Sequence, residues 1–388
     1  MKIAHVTSIL SRRGAGVRNV VEDLARAQKK QGLEVKVFGL TDANFSAGES
    51  ADWAGLEVSA LTVIGPESIG FSPALTRALS EWGPDIVHLH GLWTFPSKAV
   101  LDWHRATGKQ YIVSVHGMLS KIALGYSTGK KRISRLLFQD SCFNCARALH
   151  ATNDTEVAEI RAFGYRGPIA MFPNGVNAVD IPDMPMCGRE KTILTLGRLH
   201  HKKGLDILCD IWGELEPAFP DWSLRIIGPD ENGYAAMLQK RLKGHQLDRF
   251  SIESPVFGAD KNIAMASADL FVLPSRNENF ALTVAESLIM EVPVVSSRNA
   301  PWQGLETNHC GLWVDLNPGD FAAAMAYMMN LSDDKRKQMG KNGRDWMLRD
   351  FSWSGISQRS LAVYEWARGV APKTKDIYLA QQDQDSRS

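Results

Sequence analysis

Leu270-Phe271-Val272-Leu273-Pro274-Ser275-Arg276-Asn277-Glu278-Asn279-Phe280-Ala281-Leu282-Thr283-Val284-Ala285-Glu286 is a short apolar run, a polar turn opened by proline, and the start of a helix. Strand, loop and helix in that order form the repeating unit of open α/β sheets. The turn also carries chemistry. The first residues of a helix leave backbone N–H groups unpaired, and with the helix dipole these favour an anion such as phosphate. Glu278 stands in the loop and Glu286 inside the helix, so two carboxylates flank the helix start and accept hydrogen bonds from ligand hydroxyls. Two glutamates at this spacing are, by themselves, ordinary solvated surface.

Upstream, Leu196-Gly197-Arg198-Leu199-His200-His201-Lys202-Lys203-Gly204 again ends a strand and opens a helix. Arg198 offers a planar fork to phosphate oxygens and Lys203 a mobile point charge. Two cations converging on a diphosphate stabilise it as it departs. Loop cations are commonly just solvated, so neither segment decides the function alone.

Working outward, the same alternation covers the chain. Around these two segments, strands are predicted over Thr192–Leu196, Leu224–Gly228, Phe250–Ile252, Leu270–Leu273 and Val292–Ser296, with helices over Leu205–Leu215 and Tyr234–Lys243. In the amino-terminal half, Lys2–Ser8, Glu34–Leu40, Ile86–Leu89, Ile112–Val115 and Ala148–Thr152 read as buried parallel strands, and Val17–Gln31 as an amphipathic helix ended by Gly32. Prolines and Asn174-Gly175 crowd the stretch Pro168–Gly188, the texture of an interdomain connection. The expected fold class is therefore α/β, with two Rossmann-like doubly wound domains facing across a cleft, and ligands outside the carboxyl ends of their strands. The domains are expected at 1–175 and 176–352. A helix at 353–370, including Trp353–Ala367, follows, and a polar tail at 371–388 is expected to fray from Lys373 on.

A chain of 388 residues suits two cores. Its 44 basic and 43 acidic side chains leave a net charge of +1, which excludes a global basic field for nucleic acid. No run approaches the roughly 20 apolar residues that span a bilayer, and the opening strand is too soon interrupted to be a signal peptide. Cys142, Cys145, Cys187, Cys209 and Cys310 are an odd, scattered set that fits the reduced cytoplasm. Cys142 and Cys145 lack the second pair that a zinc site needs and read as two small residues on one helix face.

In their order along the chain these segments resemble family 4 of the retaining glycosyltransferases, whose members share the two-domain GT-B fold. The matching residues are Gly197-Arg198 with Lys203-Gly204, then Pro274-Ser275, Glu278, Phe280, Leu282, Glu286 and Pro293-Val294-Val295. Gly14-Ala15-Gly16 after the first strand, His116-Gly117 after the fourth, Pro173-Asn174-Gly175-Val176, and Phe351-Ser352-Trp353 with its helix match as well. The resemblance covers nearly the whole chain. It implies a metal-independent, retaining hexosyltransferase that uses a nucleotide-diphosphate sugar as substrate and needs no cofactor. Residue by residue, it implies that Arg198 and Lys203 bind the donor diphosphate and Glu286 the nucleotide ribose. Glu278, Asn279 and the amides of Phe280, Ala281 and Leu282 would hold sugar and phosphate. Gly14 and Gly16 would let backbone approach the phosphates, and His116 would sit beside the reacting face of the sugar. The acceptor, a glycan or lipid-linked glycan, is expected near His90–Phe95 and His116–Tyr126, with His90 and Trp93 on the acceptor side.

Some features depart from the family's pattern or carry bland readings. Asn279-Phe280-Ala281 stands where Gly-Phe-Gly is frequent; Asn tolerates left-handed backbone angles and Ala adds one methyl group. His200 and His201, being adjacent, point apart and read as a solvated loop. Lys130-Lys131-Arg132 and Arg135, beside Leu136, Leu137 and Phe138, read either as a peripheral patch on the anionic cytoplasmic membrane face or as a solvated helix face with its core side. Trp302 with Glu306 reads as a pocket wall or as core. A nicotinamide-dependent oxidoreductase is the main rival outside the class; Asn19 stands at its third glycine position, and it leaves Arg198, Lys203, Glu278 and Glu286 without a role. A sugar-nucleotide epimerase, a disaccharide phosphorylase and a non-catalytic sugar-nucleotide-binding subunit share the architecture and remain alternatives.

Overall fold

The structure, a computed structural model, describes residues 1–182 and 190–380. Cys187, Pro185 and residues 381–388 of the tail lie outside the described residues. The chain divides into two compact units, Met1–Gly175 with Trp353–Ser388, and Val176–Ser352.

In the first unit the strands are β1 (Lys2–Thr7), β2 (Glu34–Thr41), β3 (Glu57–Thr62), β4 (Ile86–His90), β5 (Tyr111–Ser114), β6 (Ala148–Ala151) and β7 (Ile169–Met171). The second unit contributes β8 (Lys191–Leu196), β9 (Trp222–Ile227), β10 (Phe250–Glu253), β11 (Leu270–Leu273), β12 (Val294–Ser297) and β13 (Gly311–Val314). A last short strand, β14 (Ile377–Tyr378), returns to the first. The sheet orders are β14-β7-β6-β5-β4-β1-β2-β3 and β10-β9-β8-β11-β12-β13. All pairings are parallel except β14 with β7. Both are doubly wound sheets. Their order reverses between β1 and β4 in one and between β8 and β11 in the other, and these switch points are where the loops splay apart and a ligand fits.

β4, β5, β6, β11 and β12 are buried along their whole length, which is why they show as unbroken apolar runs. Four strands escape the sequence reading. β3 is an edge strand with half-exposed alternating residues, β7 is three residues long, and β13 opens with a glycine. β14 corrects the expectation of fraying from Lys373. Ile377 is buried and pairs with Ala170, and Asp376 takes the guanidinium of Arg359 at 2.7 Å. A polar stretch is thus tied down by one apolar residue and one ion pair.

A second correction concerns the basic segment. Thr128–Ser134 is helical and passes into a π-helical turn at Arg135–Gln139. Leu136 and Leu137 are 87% and 69% exposed, so they form no core side. Among the described residues no helix is long and apolar enough to cross a membrane. Cys142 and Cys145 share the helix Asp140–Cys145, where burial pushes the Cys142 thiol up to about 12.

Candidate functional site

At the switch point of the second sheet, the loop after β8 meets the loop after β11. Gly204 makes the meeting possible. Its φ is +64°, and a Cβ there would lie 1.9 Å from the carbonyl oxygen of Pro274. Arg276 N–H donates to the Lys202 carbonyl at 2.7 Å, and the Arg276 guanidinium binds both oxygens of Asp206 at 2.7 Å, pinning the two loops together. The ammonium of Lys203 consequently reaches Glu278 at 2.5 Å, and the Ser275 hydroxyl donates to the same carboxylate oxygen at 2.6 Å. Gly197, Arg198 and Lys203 line one shallow depression with Ile226 and Leu273. Arg198 is half in solvent and donates to Glu231 at 2.7 Å. Burial, and then the positive charge of Arg198, lower the pKa of the neighbouring Lys202.

Eight residues beyond Glu278, Glu286 lies on the helix Leu282–Ile289, half-buried, and accepts from Lys261 at 2.6 Å. The left-handed residue before this helix is Ala281, with φ +61° and ψ +67°; Asn279 is not among the residues with positive φ. Phe280 is buried, and its carbonyl accepts from the indole of Trp302 at 2.6 Å. Trp302 is core, packed against Trp346 and Phe351, and braces the loop from below; Glu306 points to solvent. His200 is not merely solvated: its Nδ1 accepts from the Lys202 N–H at 3.1 Å.

In the first unit, Gly14 precedes the helix Ala15–Lys30 and Gly16 lies exposed in its first turn, at the carboxyl end of β1. His116 follows β5 with φ +48°, and Gly117 follows it with φ +71°. The Gly117 N–H donates to the buried carboxylate of Glu156 at 2.5 Å, which anchors the left-handed His116 beside it. Burial brings the pKa of His116 down to about 4. Of the two residues expected on the acceptor side, Trp93 is half-buried and His90 lies inside the fold. His90 is buried, with Nε2 at 3.0 Å from His5 Nδ1 and Nδ1 at 3.1 Å from His116 Nε2, so both its nitrogens are committed inside the fold. Trp93 packs edge-on against Phe143 and Phe163.

A row of polar side chains therefore lies on one face of an otherwise apolar sheet. Registers place His5 beside His88, His90 beside Ser114, and Ser114 beside His150. Gln28 from the helix Ala15–Lys30, and Ser360 and Tyr364 from the helix Trp353–Ala367, cap the row. Nitrogens of His5, His88 and His90 lie within 4.8 Å of one another. That spacing would suit a metal, but the ring centroids of His88 and His90 are 4.1 Å apart, tilted by 32°, and every one of these nitrogens has a hydrogen-bond partner. Lys261, Glu156, Gln28 and Tyr364 went unnoticed in the sequence because each reaches its partner across a large sequence separation.

The architecture defines a class. The chain superposes on the Anabaena protein HepE, solved in complex with UDP and glucose, with a TM-score of 0.75 at 17% identity over 94% of this chain and 100% of that one. It superposes on the sucrose-phosphate synthase of Thermosynechococcus elongatus with a TM-score of 0.74 at 17% identity, covering 96% and 100%. These are GT-B folds. Residues 15–175 match the glycosyl transferase 4-like domain and residues 184–346 the glycosyl transferases group 1 domain. The chain belongs to this family of GT-B, family 4-like nucleotide-sugar glycosyltransferases. It is 24% identical over 390 residues to the GDP-mannose:cellobiosyl-diphosphopolyprenol alpha-mannosyltransferase of Komagataeibacter xylinus, covering 96% of this chain and 94% of that one. To the D-inositol 3-phosphate glycosyltransferase of Jonesia denitrificans it is 27% identical over 403 residues, covering 92% of each.

Proposed function

We propose that this chain is a retaining hexosyltransferase that works without a metal or cofactor and takes the sugar from a nucleotide-diphosphate donor to a hydroxyl of a glycan or lipid-linked glycan. The observation that carries the reading is the Lys203 ammonium drawn onto Glu278 at the switch point of the second sheet, with Arg198 lining the same depression. Arg198 and Lys203 hold the diphosphate. The Lys203–Glu278 pair keeps the cation in place until phosphate oxygens replace the carboxylate as its partner. Glu286 accepts from the ribose, and Glu278, Asn279 and the amides of Phe280, Ala281 and Leu282 bind sugar and phosphate. Gly14 and Gly16 admit backbone to the ligand, and His116 binds a substrate hydroxyl.

In the reaction the bond from the anomeric carbon to the diphosphate breaks and its electron pair stays on the leaving oxygen. The acceptor oxygen bonds to the same face of the anomeric carbon, and its proton passes to the leaving phosphate. No protein base is needed. The two cations lower the barrier by stabilising the negative charge that develops on the diphosphate.

One relative is named for GDP-mannose and a similar structure was solved with UDP and with UDP-glucose, so both bases belong in the test. A thermal-shift series with UDP-, GDP- and ADP-sugars should single out one donor, because stabilisation grows with the logarithm of ligand concentration over its dissociation constant. The shift should vanish in Arg198→Ala and Lys203→Ala. Product made with that donor should keep its anomeric configuration. Inversion, phosphorolysis of a disaccharide, or epimerisation of the donor without transfer would each replace the proposal.

Exposed Leu136, Leu137 and Ile133 beside Lys130 and Arg132 suit peripheral contact with an anionic, cytoplasmic membrane face carrying a lipid-linked acceptor. Sedimentation with anionic vesicles should decline in a Leu136→Glu, Leu137→Glu variant. Equal sedimentation of both proteins would remove the membrane from this account.

A further inference from the structure

The row of buried polar groups on the first sheet has a direction, and one end fixes it. The Phe172 carbonyl can only accept, so Nε2 of His150, 2.9 Å away, carries a proton. A neutral ring then leaves Nδ1 as an acceptor, and the Ser114 hydroxyl donates to it at 2.6 Å. Having spent its proton, the Ser114 oxygen accepts from Nε2–H of His88 at 2.6 Å. Nδ1 of His88 in turn accepts the Tyr364 hydroxyl proton at 2.7 Å, and the phenol oxygen accepts from the Gln28 amide nitrogen at 3.2 Å. The same nitrogen donates to Ser360, whose own proton goes to the Ser357 carbonyl at 2.7 Å. The Gln28 amide is therefore turned with its oxygen toward His5, and Nε2 of His5 donates to it at 2.7 Å. Nδ1 of His5 accepts from Nε2–H of His90 at 3.0 Å, and Nδ1 of His90 accepts from Nε2–H of His116 at 3.1 Å.

We propose that this row holds His116 as the Nε2–H tautomer, with His90, His5 and Gln28 as positioning residues, so that His116 meets its ligand through the lone pair of Nδ1. It then selects a ligand O–H or N–H and offers a phosphate oxygen neither a proton nor a positive charge. That the ligand is a sugar hydroxyl rests on the function proposed above; the tautomer does not. Every ring in the row must be neutral for the direction to hold. Burial, which lowers the pKa of His5, His88, His90, His116 and His150, keeps them so. Reversing the row would set the His150 lone pair against the Phe172 carbonyl, an unmade hydrogen bond on both sides of a buried contact. The left-handed backbone at His116 and the Gly117–Glu156 bond fix the ring with Nε2 inward, and among the described residues Nδ1 makes no hydrogen bond.

Long-range proton–nitrogen correlation spectra of the full chain with ¹⁵N-labelled histidine, at neutral pH and without ligand, test this directly. The His116 signals are those lost in His116→Gln. The expected pattern is one pyridine-like nitrogen at Nδ1 and one pyrrole-like nitrogen at Nε2. An Nδ1–H ring, a fast average of the two tautomers, or an imidazolium overturns the proposal, and the wild-type spectrum alone suffices for that. Gln28→Met removes the acceptor that orients His5, and should move the His116 nitrogens toward the average or the reversed pattern. Tyr364→Phe interrupts the row between His88 and Gln28, and should shift the His88 nitrogens while leaving those of His116 in place, because the Ser357 carbonyl still orients the Gln28 amide through Ser360. A His116 spectrum unchanged by Gln28→Met would end the claim that the row does the positioning. Failure to bind any sugar nucleotide would strike at the proposed function and leave the tautomer standing.

Discussion

The two sheets share one topology and treat polarity in opposite ways. The first places five histidines and a serine at or beneath the carboxyl edges of β1, β4, β5 and β6, neutral and joined by hydrogen bonds. The second buries hydroxyls such as Ser296 and Ser297 but no histidine among its described residues, and sets ion pairs on the loops and helices above its sheet: Lys203 with Glu278, Lys261 with Glu286, Arg198 with Glu231. A buried ring must be neutral and fully partnered to persist, so the first arrangement is rigid and bound up with folding. The Arg198–Glu231 pair, half in solvent, adds little to stability, so its charges are available to a ligand. Polarity inside a fold orients, and polarity on its loops binds.

Acid should separate the two sheets most sharply. The unfolded chain protonates histidine near 6.5, whereas the native ring of His5 does so at about 4 because burial disfavours its charged form. Between these values the unfolded state binds more protons, so stability is fully present above about 6.5 and is lost as pH falls toward 4. His5 alone accounts for on the order of 3 kcal/mol. His88, His90 and His150 shift in the same direction. Hydrogen exchange followed by mass spectrometry should show Ile86–His90 losing protection at a higher pH than Leu270–Leu273. If both strands lose it together, the buried row is not the acid-sensitive element.

Substitution on the loops should do the reverse, costing turnover and sparing the fold. Arg198→Ala removes a half-exposed guanidinium and should lower kcat by about a hundredfold, the scale of a lost charge-stabilising donor, with unfolding free energy changed by less than about 0.5 kcal/mol. Lys203→Ala should match or exceed that loss of turnover, and it should also cost stability, because it leaves the largely buried Glu278 carboxylate without its cation. Steady-state rates beside denaturant melts check both; a large loss of stability with intact turnover would invert the comparison.

Gly204→Ala lies between the two kinds of site. Its new methyl would sit 1.9 Å from the Pro274 oxygen at a φ of +64°, so the backbone of two loops must part. The expected cost is about 2–4 kcal/mol in a urea melt, by strain at a special backbone position. Turnover should fall as well, since Lys203 loses its approach to Glu278. A normal melt with normal rates would mean that the close approach does not set the site.

How much of this was legible in the chain follows from where each signal resides. Strands with both faces buried leave runs such as Leu270–Leu273 that any window detects. β3, with one face in solvent, and β14, two residues among polar neighbours, leave none. Lys203 and Glu278 are each recognisable as a polar residue on a loop after a strand, but their contact depends on one glycine crossing under one carbonyl, which no local pattern encodes. His88 and His90 showed as alternate residues at a strand end; that they face inward, onto Tyr364 and His5, depends on a helix more than two hundred residues away. Local chemistry was visible, and its partners were not.

The smallest effect concerns the loop that departs from the family's glycines. Ala281 holds φ +61° and ψ +67°, a conformation costing a residue with a Cβ about 1–2 kcal/mol. Changing it to glycine removes that cost, but loses a mostly buried methyl worth about 0.8 kcal/mol and frees the unfolded chain by roughly as much again. These contributions nearly cancel, so Ala281→Gly should leave stability within about 1 kcal/mol of the parent. Ala285→Gly, four residues on in a right-handed helical turn, has no strain to release and should lose about 2 kcal/mol. Parallel urea melts of the two variants isolate the strain. Equal losses would mean that Ala281 is comfortable in its left-handed position and that the loop is shaped by Phe280 and its bond to Trp302 alone.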